Sequence, residues 1–330
     1  MASVRFGVLG TAKIAREKVI PALQRGQHTE VVALASRSGE RAEAAADALD
    51  VPRALGSYEA LLAEEAVEAV YIPLPNHLHA RWTLRALDAG KHVLCEKPLA
   101  LNADEAREVA DAVRQHPRLK GMEAFMYRHH PQWQRAKALI GKGALGTLRS
   151  VEATFSYFKT DPENIRNQPE AGGGALMDIG CYGISVARFL FGRAPKRVLG
   201  DAEPDPDLGI DRRTSAMMDF GQGGFASFTS ATQQASHQRV SVFGTEGKIE
   251  IPIPFSAPPD APARLLVTTG GETEEVVTEA ADQFTRQGDR FARAVLEDSP
   301  VPTPLADAVE NMRVLDAVRE SAEEGAWVTC

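Results

Sequence analysis

Cysteine is scarce. The chain has three in 330 residues, Cys95, Cys181 and Cys330, and no two of them form a CxxC pair. That spacing excludes a disulfide framework, offers no zinc cluster and fits a reducing compartment. Positive charge is in deficit, with 37 Lys and Arg against 45 Asp and Glu for a net charge of −8. The balance opposes nonspecific nucleic-acid binding and an anionic membrane partner. The first residues, "MASVRFGVLG", lack the charged-then-apolar layout of a signal peptide, and the sequence suggests no run of membrane-spanning length. Repeats and low-complexity linkers are absent. His77 and His79 stand two apart, a spacing that does not share a helical face, and no HExxH pattern accompanies them, so no metal is expected. These absences lead to the expectation of a cytoplasmic protein with no nucleic-acid or membrane partner.

What is present is ordinary for an enzyme-sized chain, with 44% apolar and 25% charged residues. The first part alternates short apolar strands with amphipathic helices, the rhythm of a doubly wound parallel sheet. Strands are expected at "VRFGVLG", "EVVALAS", "VEAVYIPLP" and "KHVLC". Between them lie helices from about Ala12 to Arg25, at "GERAEAAADALD", at "YEALLAE" capped by Ser57, and at "HLHARWTLRALDAG" closed by Gly90; Asn102 caps a fifth. After about Met122 the rhythm changes. A helix at "PQWQRAKALIGKG" and a long strand at "LRSVEATFSYF" precede a helix entered through Gly172, Gly173 and Gly174. Two hairpins follow, and then a helix pair near Gln283–Leu296 and Leu305–Glu324. The expected fold class is α/β: a parallel-sheet domain over residues 1–122, then an α+β domain over 123–330 with a large, open, mostly antiparallel sheet. The uncovered face of that sheet points to a homodimer or tetramer.

Ligands of such sheets bind at the carboxyl ends of the strands. "GVLGTAKIA" ends the first strand and opens the first helix, where a dinucleotide pyrophosphate is held by backbone N–H groups. Gly10, Thr11, Ala12, Lys13 and Ile14 are therefore candidate cofactor residues, although Ala12 and Ala15 replace two glycines of the usual pattern. The second strand ends in Ser36-Arg37-Ser38, with Arg41 in the next turn and no acid at the tip. A guanidinium with two hydroxyls suits a 2′-phosphate, which predicts NADP rather than NAD. Later strand ends add Leu74, Pro75, Asn76 and His79, then Glu96 and Lys97, then Glu123.

Lys97 precedes Pro98, which keeps it out of the helical region and gives one ammonium a stiff mount. Asp178 and Tyr182 are four apart and share a helical face, and Ser185 and Phe189 lie along or near that stripe. A phenol titrates near pH ~10 in water, and a neighbouring ammonium favours its anion. Lys97 with Tyr182 is thus a coherent acid/base pair for hydride transfer, with Asp178 as orienter. Tyr157 and Phe158 are candidates to stack on a sugar or to pack. Gln233, Gln234, Gln283 and Phe284 mark loops expected to set specificity.

"GVLGTAKIA", "PLPNHLHA", "CEKPLA", "EAFMYRHHPQ" and "GGGALMDIGCYG", in this order and spacing, resemble the Gfo/Idh/MocA oxidoreductases over essentially the whole chain. The resemblance implies an N-terminal Rossmann domain, a C-terminal α/β domain, and NAD(P)-linked oxidation or reduction of a sugar or cyclic diol. It implies that Lys97 positions and polarises the reacting oxygen and that Asp178 is the helix aspartate. Many members carry His where this chain has Tyr182. That departure resembles the branch of glucose–fructose oxidoreductase, NADP-dependent D-xylose 1-dehydrogenase and dimeric trans-dihydrodiol dehydrogenase, in which the Tyr is the acid/base. "NIRNQPEAGGGAL" resembles the loop before the catalytic helix of that branch and marks Arg166 for cofactor or substrate contact. The leading expectation is oxidation of an aldose at C1. The alternatives are a trans-dihydrodiol dehydrogenase, a keto-sugar reductase, or a regulatory NAD(P)-binding protein without turnover.

Overall fold

The computed structural model describes residues 2–330 and divides them into two compact units. The first takes in the chain up to Met126 together with Asp282–Val309; the second comprises Tyr127–Ala281 and Glu310–Cys330. The sequence division at 122/123 treats the domains as consecutive, whereas the chain returns to its first unit. The cause is apolar packing. Phe291, fully buried in the helix Gln283–Leu296, sets its ring 6.1 Å from that of Phe6 in the first strand. Arg25 also pairs with Asp282 at 2.6 Å.

The first unit is built on β1 (Val4–Leu9), β2 (Thr29–Ala35), β3 (Arg53–Leu55), β4 (Ala69–Ile72), β5 (His92–Cys95) and β6 (Gly121–Glu123), in spatial order β3-β2-β1-β4-β5-β6. All pairings are parallel. β4 is buried at every position, as a strand covered on both faces must be. The expected helix after β1 is widened to a π turn at Ala15–Val19 before the α turn Ile20–Gln24. Pro21 explains the widening, because it lacks an N–H for the fourth preceding carbonyl and its ring crowds that carbonyl. The expected caps are in place: Ser57 accepts from Ala60 N at 3.1 Å and Asn102 from Glu105 N at 2.9 Å.

The second unit is a nine-stranded sheet: β7 (Leu148–Phe158), β8 (Arg197–Pro204), β9 (Asp211–Gly221), β10 (Gly224–Ala231), β11 (Gln233–Gly244), β12 (Gly247–Ile251), β13 (Ala263–Thr269), β14 (Glu272–Thr278) and β15 (Val328–Thr329), ordered β14-β13-β12-β11-β7-β10-β9-β8-β15. Every neighbouring pair is antiparallel except β7 with β10. Alternation sends Ala216, Met218 and Phe220 to the buried face. Against that face lies Cys181–Phe191, which closes on Phe228 so tightly that a Cβ on Gly183 would sit 2.6 Å from the Phe228 Cβ. By length and composition, the segment Pro169–Phe191 passes as a membrane span, contrary to the sequence expectation. Within it, 83% of the most apolar 18-residue stretch is buried inside the protein, and it ends in the core helix of this unit.

Candidate active site

In the first unit the ends of β1, β2 and β4 converge. Gly10 adopts φ +112°, and a Cβ there would lie 3.0 Å from Leu74 Cδ2 and 3.7 Å from the Tyr58 hydroxyl. Only glycine accepts that backbone conformation cheaply. The exposed Arg37 bonds the Tyr58 hydroxyl, so its guanidinium stands beside the glycine turn. Burial raises the Tyr58 pKa and Arg37 opposes the rise. Ser36 and Ser38 serve the turn itself: Ser36 Oγ accepts from Ser38 N at 3.4 Å, and Ser38 Oγ accepts from Arg41 N at 3.4 Å. Both serine oxygens act as acceptors here and keep their own O–H donors, and Arg37 adds the cation at this tip for a 2′-phosphate. Lys13 is largely exposed and 3.8 Å from Glu17, and the Thr11 carbonyl accepts from Arg16 Nε at 3.1 Å. Gly10, the Thr11–Ile14 turn and Arg37 fit NADP as a glycine cradle and a cation.

The Lys97 loop is held from three neighbours. The Tyr71 hydroxyl donates to Glu96 Oε1 at 2.7 Å, and Leu99 N donates to Glu123 Oε1 at 2.8 Å. His79 Nδ1 lies 2.7 Å from the Pro98 carbonyl, and its Nε2 lies 2.7 Å from the Leu74 carbonyl. The Lys97–Pro98 peptide is cis. Glu123 and His79 are 2% and 1% exposed, which gives both a supporting place behind the loops. Pro75 and Asn76 remain half-buried at the end of β4. Phe284 packs on the apolar core of this unit, and Gln283 beside it is buried.

In the second unit Asp178 stands on a π turn, Leu176–Gly180, that leads into Cys181–Phe191. Its Oδ2 accepts from the Tyr157 hydroxyl at 2.6 Å and from Arg166 Nε at 3.1 Å. Tyr157, expected to stack on a sugar or to pack, thus spends its hydroxyl on the aspartate. Burial above all, and then the Asp178 charge, push its phenol far up. Asp178 in turn raises the Arg166 pKa against desolvation. Tyr182 is 5% exposed, within rings of Phe255 at 5.0 Å, Phe155 at 5.7 Å and Tyr127 at 5.9 Å. Ser185 lies deeper and shares hydrogen bonds of 2.8 Å with the Tyr127 hydroxyl and Arg128 Nη2. Phe189 packs with Tyr127 and Trp133, so this part of the expected stripe is core. Gln233 Nε2 donates to Asp205 Oδ2 at 2.5 Å, and Phe158 is 68% exposed.

Two of the three glycines before this turn, Gly173 and Gly174, serve the chain itself. Gly174 N donates to the Arg166 carbonyl at 2.8 Å, and a Cβ on Gly173 would come within 2.5 Å of that oxygen. A Cβ on Gly174 would meet Asp211 Oδ1 at 2.0 Å. Asp211 Oδ2 accepts from Leu176 N at 2.7 Å, which anchors the start of the π turn. Asp211 is the residue the sequence analysis missed. An acid at the start of a strand carries no local signal that it will cap a segment far away in the chain.

Residues 4–123 match the model of an oxidoreductase family with an NAD-binding Rossmann fold, and residues 133–250 match that of the GFO/IDH/MocA C-terminal domain. The chain is 42% identical over 324 residues to D-xylose 1-dehydrogenase (NADP(+)) 2 of Haloferax volcanii, covering 98% of each chain. It is 36% identical over 330 residues to a dTDP-3,4-didehydro-2,6-dideoxy-alpha-D-glucose 3-reductase of Streptomyces violaceoruber, covering 97% of this chain and 96% of the relative. The crystal structure of KijD10, a 3-ketoreductase from Actinomadura kijaniata in complex with NADP and TDP-benzene, superposes with a TM-score of 0.91 at 34% identity, covering 97% of this chain and 98% of that one.

Proposed function

The chain belongs to the Gfo/Idh/MocA family of oxidoreductases, and from that membership we propose that it oxidises an aldose at C1 to the lactone. It is an NADP-dependent enzyme of CH–OH groups. One observation carries the chemical reading: Tyr182 lies one turn beyond an Asp178 carboxylate anchored by two donors. NADP, when bound, supplies the hydride acceptor. In the proposed reaction the C1–H bond breaks with its electron pair leaving as hydride for the oxidised nicotinamide, and the hydroxyl proton goes to the Tyr182 oxygen in its phenolate form. The Lys97 ammonium polarises the hydroxyl oxygen, and Asp178 orients the reacting group.

The aldose assignment draws support from the xylose dehydrogenase relative. The 3-reductase relatives favour a keto-sugar as the second reading, with the same residues run in the opposite direction. A panel of D-xylose, D-glucose, a trans-dihydrodiol and keto-sugars, assayed with NADP⁺/NADPH and NAD⁺/NADH, separates them. Fastest turnover of an aldose with NADP⁺ is expected; turnover confined to keto-sugars with NADPH would replace the first reading by the second.

We further propose that the enzyme is cytoplasmic and assembles as a homodimer or tetramer through the outer face of the second sheet. Met217 and Phe225 are 40% and 36% exposed on that face. Light scattering is expected to give an even multiple of the 35.6 kDa chain.

A further inference from the structure

Tyr157 arrives from the end of β7 and Arg166 from the loop before the π turn, and both meet one oxygen of Asp178. Neither contact is a loose surface pair. Asp178 is 9% exposed, and its side chain keeps 12% exposure against 42% for Arg166. The Arg166 backbone is fixed on both sides: its N–H donates to Asn164 Oδ1 at 3.2 Å and its carbonyl accepts from Gly174 N at 2.8 Å. The Tyr157 phenol, pushed up by burial and by the Asp178 charge, keeps its proton throughout any working pH and stays a donor.

Two donors on a single carboxylate oxygen have a chemical consequence. They favour the ionised carboxylate, and they fix its plane. A carboxylate fixed in this way can orient a partner, but it is a poor carrier of the reaction's proton. We propose that Tyr157 is a positioning residue: with Arg166 it locks Asp178 as an oriented anion and leaves Tyr182 as the sole proton carrier of this unit. The assignment rests on the sugar-oxidoreductase reading above. It differs from a stacking role for the Tyr157 ring, because it makes the hydroxyl the essential part.

The test is a double-mutant cycle on the full chain. Tyr157→Phe keeps the ring and removes the donor. With the sugar that wild type oxidises fastest, kcat is expected to fall about 10- to 100-fold, the worth of a hydrogen bond to a charged group. KM for the sugar and the affinity for NADPH, read by its fluorescence, should stay within about threefold of wild type, because the donor acts through Asp178. On an Asp178→Leu background the same change should cost less than about twofold further, since the hydroxyl then has no acceptor there to hold. The cycle is also read in the thermal midpoint, which needs no turnover: the fall caused by Tyr157→Phe should vanish beside Asp178→Leu. A wild-type kcat in Tyr157→Phe, or a loss that multiplies in full on the Asp178→Leu background, overturns the proposal. A loss confined to KM would return Tyr157 to direct sugar contact. A wild-type chain that turns over no substrate of the panel removes the enzymatic reading instead, while the thermal cycle still tests the contact.

Discussion

His79 Nδ1 lies 2.7 Å from the carbonyl oxygen of Pro98, the residue that follows Lys97. Its other nitrogen lies 2.7 Å from the Leu74 carbonyl, so one buried ring ties the loop after β5 to the loop after β4. Burial outweighs both carbonyls and lowers its pKa from 6.5 to about 4. At neutral pH the ring therefore has one proton to offer two acceptors.

That depressed pKa fixes the sign of a pH effect. The unfolded chain, with a histidine pKa near ~6.5, takes up the proton first as pH falls. The contribution of His79 is complete above about pH 6.5 and drains away down to about pH 4. About 2.5 units at about 1.4 kcal/mol each amount to roughly 3–4 kcal/mol. The urea midpoint of wild type should fall more steeply between pH 7 and pH 4 than that of His79→Leu, whose side chain does not titrate. Parallel curves for the two proteins would refute this account. His79→Leu should also weaken NADPH binding and lower kcat together, because both loops lose the same tie.

Arg37 is predicted to decide between the two nicotinamide cofactors. It is the exposed cation at the end of β2, and the two serines beside it are engaged in the turn. Arg37→Ser should cost about 10- to 100-fold in kcat/KM for NADP⁺, the worth of a charge-assisted bond to phosphate, and leave that for NAD⁺ within a few fold. Equal losses with both cofactors would place Arg37 in the architecture of the turn through its bond to Tyr58.

Much of this was legible in the sequence, and the illegible parts share a cause. The parallel strands β1, β2, β4 and β5 announce themselves because burial on both faces demands apolar runs. The caps Ser57 and Asn102 are local chemistry and are equally visible. β3 and β6 are three residues each, too short for any period. β14 is Glu- and Thr-rich and almost wholly exposed at the sheet edge, so it carries no apolar alternation. The helix Gln283–Leu296 is legible as a helix, but its membership of the first unit depends on Phe291 meeting Phe6 from the far end of the chain. Among the candidate residues, Lys97, Asp178 and Tyr182 stand out by residue type and spacing. What holds them, His79, Glu123, Tyr157 and Asp211, depends on contacts distant in sequence, which no local pattern reports.

Tyr182→Phe separates chemistry from binding. The ring stays among Tyr127, Phe155 and Phe255, so folding and NADPH affinity should be preserved. General acid–base catalysis contributes about 10²- to 10⁴-fold, and kcat should fall by that much with little change in KM. Stopped-flow measurement of NADPH formation reads the chemical step directly. A burst of wild-type rate in the variant would take the proton away from Tyr182.

Gly174 gives the sharpest structural prediction. Its φ of +107° is strained for any other residue, and a Cβ would lie 2.0 Å from Asp211 Oδ1. Asp211 cannot yield without releasing Leu176 N, and with it the start of the turn that carries Asp178. Gly174→Ala should therefore destabilise by about 1–3 kcal/mol, the usual scale for a forced backbone conformation. The thermal midpoint should fall by several degrees. Activity should fall further than the folded fraction does, because the displaced turn moves Asp178 relative to Tyr157. Gly90→Ala is the comparison: it too has positive φ, +74°, but nothing lies within 4 Å of a Cβ there. It should cost stability by the backbone effect alone and leave kcat at the wild-type value. If both variants lowered kcat equally, the glycine run would be serving general stability and not the placement of Asp178.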